Sequence, residues 1–208
     1  VVSGLPNGIL RSPSWSSDSQ YLAFVVEQAS SANLWVYNVS TKQARQLSDT
    51  PLNSVLTRTP YTWLPDSSAI VANAAVNIGK SRISNDSSQV VPVIQQSSGE
   101  KAPARTYQNL LTSPYDEAQF KFFAQSQLTY IPLSGQGQPI GQPGLIKSFS
   151  VSPDSTNILV GMIDEPFSYQ VPYSRFAATW QIWGMRGYTL AELAKQPLAD
   201  NIPQGYDS

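Results

Sequence analysis

One short pattern occurs three times in this chain: an aromatic residue or Val, two residues, Asp-Ser, two more residues, then Leu or Ile. The copies are Trp15, Asp18, Ser19, Leu22; then Trp63, Asp66, Ser67, Ile70; then Val151, Asp154, Ser155, Ile158. A second pattern follows the first and last copies, with Leu34-Trp35 leading to Leu47, Pro51 and Leu52, and Ile182-Trp183 leading to Leu193, Pro197 and Leu198. Recurrence on this scale is the signature of a repeated supersecondary unit, because a unit that cannot bury its own apolar face must stack on its neighbours.

Each unit reads as an up-and-down meander. Asp-Ser favours a tight turn, since both side chains can hydrogen-bond to nearby backbone groups. The apolar runs that follow, Tyr21 to Val26, Ala69 to Ala72 and Ile158 to Val160, are short and bounded by Ser, Asp, Asn and Pro, as strands are. The spacing and the Trp beside each strand predict an all-β fold, a segment of a β-propeller with about three consecutive blades in an open arc. The blade units run about 1–56, 57–145 and 146–208, together one partial propeller domain over 1–208. A β-sandwich that reuses the same turn chemistry is the alternative.

The middle unit is longer than its neighbours, and the excess, about 77–125, is an insertion. It opens as a Ser/Asn/Gln-rich loop. Thr106 to Leu111, followed by Ser113-Pro114, then reads as a short helical turn ended by proline, and Asp116-Glu117 reads as a further acidic helix start. Phe120, Phe122 and Phe123 form a wedge leading into a strand over Leu128 to Leu133. Such an insertion leaves a propeller at one rim, where loops carry function.

Composition narrows the function. The chain of 208 residues is 41% hydrophobic, enough for a sizeable core, and carries a formal net charge of -1 with only 13% charged residues. Clustered Lys and Arg, which phosphate binding needs, are missing, so nucleic acid is not an expected partner. The longest apolar run is far too short to cross a bilayer, and the chain is expected to be soluble, with no membrane partner. Zero Cys removes disulfide and thiolate chemistry without choosing a compartment. Asn38-Val39-Ser40 and Asn85-Asp86-Ser87 match glycosylation acceptors, a pattern frequent by chance.

There is no His at all, which removes the usual general base of serine and cysteine hydrolases and the commonest metal ligand. No Gly-x-Ser-x-Gly elbow is present either. The chain itself is therefore expected to be non-catalytic, with no metal and no organic cofactor. The acidic pairs Asp116/Glu117 and Asp164/Glu165 offer carboxylates, but neighbours on a strand point to opposite faces and make a poor acid/base dyad.

Three stretches carry a resemblance. They are Ala104-Arg105-Thr106-Tyr107-Gln108-Asn109-Leu110-Leu111 with Asp116-Glu117 and Phe120; Glu165-Pro166-Phe167-Ser168-Tyr169-Gln170-Val171-Pro172 with Ser174-Arg175-Phe176; and Gln181-Ile182-Trp183 through Pro197-Leu198-Ala199-Asp200-Asn201-Ile202-Pro203. In order and spacing they resemble the non-catalytic propeller of the glutamyl endopeptidases of the prolyl oligopeptidase class. The resemblance implies a serine peptidase whose propeller sits over a C-terminal α/β-hydrolase domain and restricts access to its Ser-Asp-His triad. That domain is absent from these residues, and the class has more blades than three, so the chain reads as part of a larger polypeptide. The expected partners are peptide substrates and the hydrolase domain of the same parent.

Glutamate selection calls for a cation that recognises a carboxylate, a task suited to the planar fork of Arg. Arg175, between Tyr173 and Phe176, is the leading substrate-binding candidate, with Tyr173 as part of an aromatic wall. Arg105 is the second candidate; a structural pairing of Arg175 with Asp164 or Glu165 is its competing role. Tyr107 and Tyr169 could also line the chamber, whereas Trp35, Trp63 and Trp183 are assigned to packing. Two other functions remain open: a propeller serving as a protein-interaction platform, and the propeller of an aminopeptidase-like exopeptidase in which Asp116-Glu117 hooks the peptide's N-terminal amine.

Overall fold

In the computed structural model, residues 4–80, 110–134 and 136–199 are described. They form three four-stranded antiparallel sheets, each a meander whose spatial order equals its chain order. Blade 1 holds β1 (Ile9–Trp15), β2 (Tyr21–Glu27), β3 (Ala32–Asn38) and β4 (Gln43–Gln46). Blade 2 holds β5 (Tyr61–Trp63), β6 (Ala69–Ala75), β7 (Ser126–Pro132) and β8 (Gln138–Gly144), with helix α1 (Pro114–Ala124) between β6 and β7. Blade 3 holds β9 (Ile146–Val151), β10 (Asn157–Ile163), β11 (Ala178–Gly184) and β12 (Thr189–Gln196). The fold is the predicted open propeller arc with a partly helical insertion in its second blade.

The repeated sequence pattern is one turn built three times. In each copy the amide of the motif Ser donates to the carbonyl three residues back at 2.9 Å: Ser19 to Ser16, Ser67 to Leu64, Ser155 to Ser152. Each of these serines has a left-handed backbone, with φ of 58°, 61° and 60°. The preceding Asp takes the amide two residues on: Asp18 from Gln20 at 3.0 Å, Asp66 from Ser68 at 3.0 Å, Asp154 from Thr156 at 3.1 Å. Neighbouring hydroxyls add to this, from Ser16 to Asp18 (2.6 Å), Ser68 to Asp66 (2.7 Å) and Ser152 to Asp154 (2.5 Å). Accepting so many hydrogen bonds favours the carboxylate form, and all three Asp pKa values lie below the usual range.

Blades stack through side chains that alternate along each strand. On β2, Ala23 and Val25 face blade 2, where they pack with Leu34, Val36, Tyr61, Trp63, Ile70 and Ala72. Phe24 and Val26 face the other flank with Ala44. β6 lies between two neighbours and is buried over Ala69 to Ala74, so its sequence shows a continuous small-apolar run rather than alternation. Its second face, Ala69 and Val71, packs with Leu128, Ile140, Ile158, Val160 and Trp183 across the seam to blade 3. Trp63 and Trp183 are buried; Trp35 is half-buried against Phe24 and Val26.

Polar bonds set the register of the first seam. Trp63 Nε1 donates to the Ser14 carbonyl at 3.0 Å, and the Tyr61 hydroxyl reaches the carbonyls of Ser12 and of Ala23 (2.8 Å). A bulge in β1 between Arg11 and Ser14, where Ser12 has φ 50°, accompanies that approach. Burial pushes the Tyr61 hydroxyl pKa well up. The Asp18 amide also donates to Ser67 Oγ at 3.1 Å, joining one motif turn to the next.

One detail differs from the sequence reading. Pro114 occupies the first turn of α1, where its missing N–H costs nothing; Leu110 to Thr112 before it are not helical, and Thr106 to Asn109 of the expected turn lie outside the described residues. Trp15 is exposed although Trp63, at the same motif position, is buried, because no described strand lies against that flank of blade 1.

Candidate functional site

The two longest connections within blades occupy equivalent places. Each joins the second and third strands of its blade, β6 to β7 in blade 2 and β10 to β11 in blade 3, and both emerge at the rim opposite the Asp-Ser turns. The same connection in blade 1 is a tight turn closed by Gln28 N–H to the Ser31 carbonyl at 2.8 Å.

α1 is specified locally. The Ser113 side chain caps its start by accepting the Asp116 amide at 3.2 Å, Asp116 and Glu117 complement the first turn, and Lys121 complements the last. Thr112 donates to Asp116 through its amide at 2.9 Å and through its hydroxyl, which holds that carboxyl below its usual pKa. The far end is tied down by asparagines. Asn53, only 6% exposed, donates to the carbonyls of Phe123 (2.8 Å) and Gln125 (3.0 Å), and Asn77 donates to that of Phe122 at 2.7 Å. Asn73 holds Asn53 in place through its carbonyl at 3.1 Å.

The two inserted connections dock on each other. Phe120 of α1 sits edge-on to Phe167 (centroids 5.2 Å apart) and to Phe176 (5.8 Å), which stack on each other at 5.4 Å. Tyr169 donates to Glu117 Oε2 at 2.8 Å, and Lys121 forms a close ion pair with Glu165. Burial, then the Glu117 carboxylate, raises the Tyr169 pKa. Asp164 accepts the Thr179 hydroxyl at 2.6 Å. Asp116, Glu117, Asp164 and Glu165 thus all have named partners that fasten this rim.

Tyr173 and Arg175 lie together on a 3-10 turn, Tyr173–Arg175, on top of this platform. The Tyr173 ring is 43% exposed and leans on Phe120 at 6.2 Å, while Arg175 is half-buried. The backbone of Arg175 is fixed on both sides, its amide donating to the Pro172 carbonyl (2.9 Å) and its carbonyl accepting from Ala199 (3.1 Å). The turn sets Tyr173 and Arg175 two residues apart above the aromatic cluster of Phe120, Phe167 and Phe176. Arg105, Tyr107 and Asn85 lie outside the described residues. Asn38 ends β3, and its side chain accepts the Thr41 amide of the following turn at 2.9 Å.

Sequence reasoning missed the asparagines. Asn73 carried a usable signal, a polar residue inside the run Ala69 to Ala75 that must find a buried partner. Asn53 and Asn77 carried none, because their acceptors are helix-end carbonyls far away in the chain. Among the described residues, no group of three or more His, Cys, Asp or Glu could hold a metal ion, and no helix is long and apolar enough to cross a membrane.

Comparison with known proteins gives a consistent picture. No family model matches the chain. It is 31% identical over 224 residues to a protein of Oryza sativa subsp. japonica named probable glutamyl endopeptidase, chloroplastic; the match covers 98% of this chain and 22% of the relative. The chain thus spans about a fifth of that relative's length, and the resemblance read from its three stretches holds over nearly all of it. In structure it is similar to an acylaminoacyl peptidase of Pyrococcus horikoshii (TM-score 0.53, 11% identity, 92% of this chain and 25% of the other). It is equally similar to an oligogalacturonate lyase (TM-score 0.52, 10% identity, 88% of this chain and 38% of the other). A peptidase and a lyase sharing this backbone show the fold and leave activity to the site.

Proposed function

We propose that this chain, similar over nearly all its length to a segment of a glutamyl endopeptidase, is the non-catalytic propeller part of a serine-type endopeptidase, gating access and helping to select peptides. In that reading the chain consists of blade units about 1–56, 57–145 and 146–208, and it works with an α/β-hydrolase domain of the same parent. The observation that carries the reading is the docking of two inserted connections from adjacent blades at one rim, which sets Arg175 beside the exposed Tyr173. Arg175 receives the substrate glutamate, Tyr173 flanks the peptide, and Arg105 supplies a second cation.

A charge-assisted hydrogen bond contributes on the order of 1.5–3 kcal/mol, which corresponds to a preference of about ten- to hundredfold for Glu over Gln. The test is Arg175→Ala in the enzyme that contains this chain, with kcat/KM measured on paired Glu and Gln substrates. The Glu/Gln ratio is expected to fall about tenfold or more. Equal losses on both substrates would remove Arg175 from specificity.

A further inference from the structure

The other flank of α1 borders a groove of about 400 Å³ on the same rim. Phe122, about 200° round the helix from Phe120, turns away from the Tyr173 platform and lines this groove instead. Leu52, Val76, Ile78 and Phe123 supply further apolar wall, and Ile78 and Phe123 are 53% and 43% exposed. Lys80 is the only charged residue among the described residues that line it.

The position of that ammonium is set by the fold. Asn77 donates its amide N–H to the Phe122 carbonyl at 2.7 Å, which turns its oxygen toward Lys80 Nζ at 3.0 Å. Lys80 is thereby referenced to the end of α1, while an ammonium has two further donors to offer. A groove of this volume with an apolar wall, neutral polar groups from Ser30, Ser31, Asn53 and Gln125, and Lys80 as its one charged group among the described residues suits a ligand that is apolar and negatively charged at adjacent points.

We infer that this groove is a peptide subsite, taking an apolar side chain while the carboxylate of the neighbouring residue meets Lys80. The inference rests on reading the chain as part of a peptidase, but it places this contact on a different flank of α1 from Arg175. It also assigns the exposed Ile78 a role in ligand contact.

The chain itself is titrated with acetyl-Leu-Glu-amide, acetyl-Leu-Gln-amide and acetyl-Ala-Glu-amide, and backbone amide shifts are followed. Saturable shifts at Ile78, Lys80 and Phe123 are expected at millimolar concentration, with the Leu-Glu peptide about three- to tenfold tighter than either other peptide. Lys80→Gln should abolish the Glu/Gln difference while keeping the Leu/Ala difference. Ile78→Ser, at an exposed position, should weaken both Leu peptides with an unchanged melting temperature. Lack of saturable binding, equal affinity for Glu and Gln, or shifts confined to Tyr173–Arg175 would each overturn the inference. None of these outcomes touches the Arg175→Ala selectivity test, so the two readings fail separately.

Discussion

Gly187, in the hairpin between β11 and β12, lies against the backbone of Gly141 in β8 of the neighbouring blade: a Cβ on Gly187 would fall 1.8 Å from the Gly141 nitrogen and 2.1 Å from its Cα. The second seam is therefore closed at this point by main chain against main chain, with Gly187 at φ 81° and Gly141 at φ 68°. Gly79 has a similar φ of 69° but nothing within 4 Å of its would-be Cβ. Gly79→Ala should cost only the left-handed penalty, about 1–2 kcal/mol. Gly187→Ala must also push the two blades apart, and we expect a loss of about 3 kcal/mol or more in urea unfolding. Equal losses in the two variants would show that the seam yields freely.

The motif serines separate backbone strain from side-chain bonding. Ser67 and Ser155 share the same left-handed φ, but Ser67 Oγ also accepts the Asp18 amide of the preceding turn. No corresponding bond joins Ser155 to Asp66 among the described residues. Glycine relieves the strain at both positions and deletes the inter-blade bond at one. Ser67→Gly should therefore be less stable than Ser155→Gly by about 1 kcal/mol, read from paired urea melts.

The fold was legible because this turn is local: Asp-Ser with a left-handed Ser needs nothing beyond five consecutive residues, so each copy announces itself. Trp63 was legible for the same reason, at a fixed offset from its turn, and Trp183 was legible from the second pattern that it shares with Trp35. The platform was only half legible. Phe167, Tyr173 and Phe176 lie in a connection with no periodicity, and their common partner Phe120 is distant in sequence. Nothing in Pro166 to Phe176 says that this loop occupies the place in blade 3 that α1's connection occupies in blade 2. Pro114 was misread because Ser-Pro suits both the end of one helical turn and the start of the next. The capping bond from Ser113 to Asp116 decides between them.

Acid should weaken the turns in a defined direction. Asp18, Asp66 and Asp154 have folded pKa values lowered by their hydrogen bonds. Their contribution is present above the unfolded value and is lost as pH falls through the lower folded one. The melting temperature should fall between about pH 5 and about pH 2, and Asp154→Asn, which cannot titrate, should show a shallower fall. An identical slope for wild type and variant would assign acid sensitivity to other groups.

Asn53 links the inserted helix to the propeller, so its loss should be felt at α1 first. Asn53→Ala leaves the Phe123 and Gln125 carbonyls without their side-chain donor at a buried position. The expected cost is about 2 kcal/mol. Hydrogen exchange should report faster opening for the last turn of α1 than for β2 or β6. Uniform acceleration over all three would mean that the helix and the blades open as one unit.

Packing, more than charge, holds the two inserted connections together. The Lys121–Glu165 pair is half exposed on both sides, 52% and 51%, and an exposed pair contributes about 0.2–1 kcal/mol. Phe167 is buried between Phe120 and Phe176, and truncating such a ring costs about 3–5 kcal/mol. Lys121→Ala should therefore change stability by less than about 1 kcal/mol and lose even that at high salt. Phe167→Ala should destabilise by about 3 kcal/mol with no salt dependence. In the enzyme containing this chain, Phe167→Ala should also blunt the Glu/Gln preference assigned to Arg175, because Phe120, on which Tyr173 leans, loses its edge-on neighbour, whereas Lys121→Ala should leave it intact. A variant pair with the reverse ranking would make the ion pair, rather than the aromatic cluster, the element that positions the rim.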